Sequence, residues 1–136
     1  MSRFVIVDRS MEPALLDGDR IWCTRLRGIP HRGAIAVFVH PLIPDFWLIK
    51  RVLGLPGEQV DLDFGRVLIN GRADVDAWGD GETFPEGHWD LAPGTVFVLS
   101  DNRQATVDDS RRFGPVPTEG MLVATRRSLR RLKLRR

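Results

Sequence analysis

Short β-rich runs separated by turn residues set the tightest limit on how this 136-residue chain can fold. The runs are Phe4 to Val7, Arg20 to Thr24, Ala34 to His40, Phe46 to Leu55, Gln59 to Leu62, Val67 to Asn70, Thr95 to Leu99 and Met121 to Arg126. Each has the length and composition of a strand, and helical periodicity is nearly absent, so the chain reads as all-β. Asn70-Gly71, after Arg66-Val67-Leu68-Ile69, signals a hairpin because a type I′ turn needs positive φ at both central residues. Glycines and prolines from Gly79 to Pro93 mark Trp78 to Pro93 as an exposed loop. The stretch from Glu58 to Thr95 is then a hairpin-bearing insertion, and Glu12 to Leu16 at most a short turn of helix.

A chain with 43% hydrophobic and 28% charged residues suits one ordinary globular domain. We place that domain at residues 1–126, with the insertion at 58–95, followed by a basic tail at 127–136. Net charge is +2, but Arg126 to Arg136 carry seven of the twenty basic groups and no acid. The rest of the chain is therefore mildly acidic. Cys23 is the single cysteine, which excludes an intrachain disulfide; in Ile21-Trp22-Cys23 it reads as a small buried hydrophobe rather than a thiol nucleophile. His31, His40 and His88 lack metal-ligand spacing and read as loop or strand-end residues. No metal and no cofactor are expected.

Two segments carry chemistry: Ser10-Met11-Glu12-Pro13 and Trp47-Leu48-Ile49-Lys50-Arg51-Val52. A serine hydroxyl is a poor nucleophile until a base takes its proton, and no Ser/His/Asp arrangement with recognisable spacing competes for that task. Lys50 is the base to consider. On a strand it shares a face with Leu48 and Val52, while Arg51 points to the other side. A lysine with the reference pKa of ~10.4 is neutral in only about one molecule in a thousand at neutral pH. To act as a base it must lose roughly 4 kcal/mol of proton affinity, and burial among aliphatic groups is the usual cause of such a loss.

The blocks around these residues resemble those of the type I signal peptidases, the Ser/Lys proteases of the S26 class, in the same order. Ser10-Met11-Glu12-Pro13-Ala14-Leu15 is similar to their nucleophile block, and Arg32-Gly33-Ala34-Ile35-Ala36-Val37-Phe38 to the strand block that follows. Lys50-Arg51-Val52-Leu53-Gly54-Leu55-Pro56-Gly57-Glu58 is similar to the base block. Ser100-Asp101-Asn102-Arg103, followed by Asp109-Ser110-Arg111-Arg112-Phe113-Gly114-Pro115-Val116, is similar to the last block.

The resemblance implies a bent, barrel-like all-β catalytic fold and a serine endopeptidase that removes N-terminal signal or pro-peptides. It implies Ser10 as nucleophile, Lys50 as general base, and the Ser10 main-chain N–H in the oxyanion hole. Substrate is expected to bind as an extended peptide along a strand edge. By the same resemblance Thr106 is the hydroxyl nearest to the one that contacts the lysine, although Gln104 to Asp108 is one residue longer than the usual spacing. Asp109 and Arg111 match positions that brace the site by an ion pair. Asp8 departs from the pattern, which has a small residue or a hydroxyl two places before the nucleophile. A carboxylate there opposes a developing oxyanion, and we expect it to turn outward.

The family usually carries a membrane span ahead of the serine, and the residues before Ser10 are too few for one. The expectation is a soluble or peripheral, cytoplasmic protein without the usual anchor. The tail from Arg126 to Arg136 reads either as a solvated end or as a peripheral contact with anionic membrane, in which Leu129, Leu132 and Leu134 insert shallowly. No nucleic-acid partner is expected, since no aromatic residues interleave the cations. Two other functions stay open: a soluble maturation protease for one precursor, of the nickel superoxide dismutase type, and a catalytically silent peptide-binding β-module.

Overall fold

The computed structural model describes residues 1–135. In chain order its strands are β1 (Ser2–Val5), β2 (Arg20–Arg25), β3 (Ile35–Val39), β4 (Trp47–Gly54), β5 (Gln59–Asp63), β6 (Arg66–Ile69), β7 (Gly87–Asp90), β8 (Thr95–Leu99), β9 (Val116–Pro117) and β10 (Leu122–Ala124). The helices are α1 (Ser110–Phe113) and α2 (Arg126–Leu134). One seven-stranded sheet runs β1-β2-β10-β3-β4-β8-β9, and a three-stranded sheet runs β6-β5-β7. Every pairing of named strands is antiparallel. The fold is all-β in its framework, as expected, but the sheets bend without closing into a barrel.

β4 is an interior strand between β3 and β8, and both of its faces bury apolar side chains. Leu48 and Val52 pack with Phe38, Val96, Val98 and Met121, and Ile49 packs on a second cluster built from Ile6, Met11, Leu15, Ile21 and Val37. Leu53 packs on a third, with Val60, Leu62, Val67, Phe97 and Leu99, which joins the small sheet to the large one. At Gly54 the small sheet packs close on β4. A Cβ there would lie 2.7 Å from Val60 Cγ2 and 2.8 Å from Leu91 Cδ1. Cys23 is fully buried, and burial pushes its thiol up to about 11, away from the reactive range.

Three local expectations change. The hairpin between β5 and β6 turns at Phe64-Gly65, with φ of 50° and 75°. Asn70-Gly71 forms a second such turn, with φ of 49° and 80°, which pairs Ile69 with Arg72. The expected loop from Trp78 to Pro93 contains β7, whose half-exposed sequence Gly-His-Trp-Asp has little strand character of its own and is held by β5. The basic tail is not a solvated free end, since most of it forms α2. Thr125 caps α2 by accepting from the Ser128 N–H, Ser128 Oγ accepts from the Trp22 N–H, and Leu132 is buried with Leu129 partly so. Arg136, the last residue of that expected tail, lies outside the described residues. No helix among them is long and apolar enough to cross a membrane.

Candidate active site

Ser10 lies in the turn that follows β1, and its position is set from both ends. Asn102 donates from its backbone N–H to the Ser10 carbonyl (2.9 Å) and from Nδ2 to the Arg9 carbonyl (3.1 Å). The adjoining Met11 is buried in the second cluster. Lys50 stands on β4 and is 2% exposed. Both residues line one cleft of about 250 Å³, with Phe4 to Asp8 on one wall and Asp45 to Lys50 on the other. The Phe4 and Trp47 rings meet at 5.9 Å between the two walls.

Burial lowers the Lys50 pKa from its ordinary value. The carboxylates of Asp109, Asp8 and Asp108 oppose that shift, and the Arg111 guanidinium reinforces it. The amine donates to Ser100 Oγ at 3.0 Å. A neutral amine that spends an N–H on Ser100 keeps its lone pair for a proton from elsewhere. Among the described residues, neither Ser10 Oγ nor Lys50 Nζ has the other as its hydrogen-bond partner. Such bonds often form only once substrate is bound.

Ser100 was not foreseen. The β4–β8 register pairs Arg51 with Leu99, so one further step of the antiparallel ladder puts Ser100 opposite Lys50. Thr106, the hydroxyl expected beside the lysine, instead accepts from the Asp108 N–H at 3.0 Å. The physical reason is local: its short side chain closes a turn with the N–H two residues on. Asn102 was also missed as a clamp on the nucleophile turn. The serine ahead of Asp101-Asn102-Arg103 was visible in the sequence, but its partner depended on a pairing fifty residues away.

Asp109 and Arg111 form a buried ion pair, with Arg111 Nη2 2.8 Å from Asp109 Oδ2. Asp109 Oδ2 also accepts from the Ser100 N–H at 2.9 Å, and Oδ1 accepts from the Arg111 N–H, which starts α1. Arg111 donates further to the carbonyls of Phe84, Arg103 and Thr106. The pair thus fixes the backbone beneath the lysine's partner. Beside it, Arg51 grips Asp101 in a bidentate pair at 2.6 and 3.2 Å. Burial pushes the Asp101 carboxyl up, and Arg51 opposes that. Arg103, fully enclosed, holds Asp76, Thr83 and the Ser100 carbonyl.

Asp8 does not turn outward. Its Oδ1 accepts from the Ser10 N–H at 3.0 Å and from Ser10 Oγ at 2.8 Å. An aspartate readily bonds the N–H two residues ahead in an Asx turn, and that local preference overrides the electrostatic argument made from the sequence. The histidines have other partners: His40 Nε2 donates to Asp108 at 2.8 Å, and His88 bonds Asp61 at 2.6 Å.

Comparison with known proteins identifies the family. The family model described as "Signal peptidase, peptidase S26" matches residues 1–128. The chain is 34% identical over 131 residues to a signal peptidase I of Leptolyngbya laminosa, covering 86% of this chain and 63% of that protein. It is 30% identical over 125 residues to a signal peptidase I of Bacillus licheniformis, covering 82% and 67%. It therefore spans about two thirds or less of these relatives' length. The crystal structure of a signal peptidase I from Enterococcus faecalis V583 superposes with a TM-score of 0.60 at 26% identity, covering 71% of this chain and 96% of that one. The chain belongs to the signal peptidase family, peptidase S26.

Proposed function

We propose that this protein is a serine endopeptidase that removes N-terminal signal or pro-peptides, with Ser10 as nucleophile and Lys50 as general base. The observation that carries the reading is a buried amine of lowered pKa sharing a small cleft with a serine hydroxyl. In the reaction Ser10 Oγ bonds to the scissile carbonyl carbon as its proton passes to Lys50. The proton then goes to the leaving amine as the C–N bond breaks, and water releases the acyl group by the same route. Asp109 and Arg111 support Ser100, and Ser100 orients Lys50.

Substrate enters as an extended strand. β1 is an edge of the large sheet, and Trp47 to Lys50 pair with β3 only, because β8 joins β4 at Arg51. Two backbone edges without a strand partner among the described residues thus line the cleft and offer ladder bonds to a peptide between them. An internally quenched peptide spanning a signal-peptide junction tests the reading. Cleavage that is lost in Ser10→Ala and in Lys50→Ala supports it; cleavage retained in Lys50→Ala, or binding without cleavage, overturns it.

Peripheral contact with anionic membrane is part of the proposal, in altered form. Leu129 and Leu132 face the core and of the three leucines only Leu134 is exposed, so the contact rests mainly on the exposed cations of α2, Arg126, Arg127, Arg130, Arg131 and Lys133. The test is sedimentation with phosphatidylserine liposomes, comparing the protein with an Arg127→Gln/Arg130→Gln/Arg131→Gln variant that keeps the helix docked. Equal partitioning of the two overturns it.

A further inference from the structure

Asp8 is bound to both groups that the reaction requires and has no part in the scheme above. The Ser10 hydroxyl must turn to Lys50, and the Ser10 N–H must receive the substrate carbonyl, yet one carboxylate oxygen accepts from both at 2.8 and 3.0 Å. That oxygen stands where a tetrahedral intermediate's oxygen belongs and carries the same sign of charge. Among the described residues Ser10 is the sole hydrogen-bond partner of the Asp8 side chain, and Asp8 is exposed, so it can swing into solvent without breaking any other hydrogen bond.

Taking the peptidase reading as given, we propose that Asp8 is a displaceable stopper on the nucleophile: it holds Ser10 at rest and must swing out before a substrate carbonyl can take its place. Asp8 neither gains nor loses a proton in this exchange. It rotates into solvent as a carboxylate, the Ser10 O–H turns from Asp8 to Lys50 Nζ, and acylation follows as above. Every turnover therefore pays for breaking two charge-assisted hydrogen bonds and for the repulsion that remains.

The test uses the full chain with the quenched peptide, and with a peptide aldehyde of the same sequence, which forms a tetrahedral adduct on Ser10. Asp8→Gly is expected to raise kcat/KM by about 10- to 100-fold and to tighten aldehyde binding by a similar factor. Asp8→Asn, which loses the charge but keeps the turn, falls between Asp8→Gly and the unaltered protein. Lys50 also faces Asp109, Asp108 and Arg111, all unchanged in these variants. Removing the Asp8 charge should therefore move the rising limb of the pH profile to lower pH, since Asp8 raises the Lys50 pKa.

A role confined to bracing the Ser10 turn predicts the reverse order of activity and of aldehyde affinity. Lower or unchanged kcat/KM in Asp8→Gly, beside Lys50-dependent cleavage by the unaltered protein, overturns the stopper and leaves the peptidase reading standing. Cleavage that survives Lys50→Ala overturns the reading itself. If no variant cleaves and none binds the aldehyde, both fall.

Discussion

Replacing Ser100 with alanine asks whether one hydroxyl aims the base. Ser100 is fully buried, Lys50 is 2% exposed, and the bond between them is 3.0 Å. Alanine removes the acceptor but keeps the backbone N–H that donates to Asp109 Oδ2. The ion pair beneath should therefore survive. A buried donor left without its acceptor costs about 1–3 kcal/mol. If that cost appears when the lone pair must point at Ser10, kcat falls by about 10- to 100-fold at tenfold per 1.36 kcal/mol. KM should hardly move, because Ser100 is too deep to touch substrate. Steady-state kinetics with the quenched peptide, with Tm measured alongside, gives both numbers. A kcat within about twofold of the unaltered protein would refute the reasoning, and a larger loss in Thr106→Ala than in Ser100→Ala would return the role to Thr106.

Lys50→Met should abolish cleavage without lowering stability. Burial depresses the Lys50 pKa, so the unfolded chain binds the proton more tightly, and stability rises with pH between the folded value and the unfolded ~10.4. Methionine removes that slope, and chemical denaturation between neutral and alkaline pH should show a flatter curve; a large loss of stability at neutral pH contradicts the account. Asp101→Asn leaves the buried Arg51 guanidinium without its carboxylate, at a cost of about 3–5 kcal/mol and a Tm lower by about 10 °C or more. The double change Arg51→Met/Asp101→Leu should recover much of this in a thermal melt. Leu132→Ala should cost about 2 kcal/mol and loosen α2, so that limited trypsin digestion cuts first at its arginines; unchanged digestion would mean that the helix is held by something other than Leu132.

Local signals located most of the strands. Alternation from Trp47 to Leu53 placed Lys50 with Leu48 and Val52, and in the structure all three are buried. Asn70-Gly71 makes the turn its residue types demand. β7 escaped because glycine, histidine and aspartate carry no strand preference, and pairing with β5 alone makes it extended. α2 escaped because its arginines drew attention to charge, although Thr125 and the spacing of Leu129 and Leu132 were a readable cap and stripe.

What the amino-acid sequence determined by itself was the kind of element at each place, the turns between them, and the serine and lysine recognisable from ordered blocks. These depend on neighbours a few residues apart, and such interactions are written directly in residue order. Only tertiary structure decided that Ser100 rather than Thr106 meets Lys50, that Asp8 closes on Ser10, and that the sheets bend without closing into a barrel. Strand register is set by packing between segments far apart in the chain. A slip by two residues keeps every side chain on its face but changes every partner, so face patterns cannot name the hydroxyl beside the base.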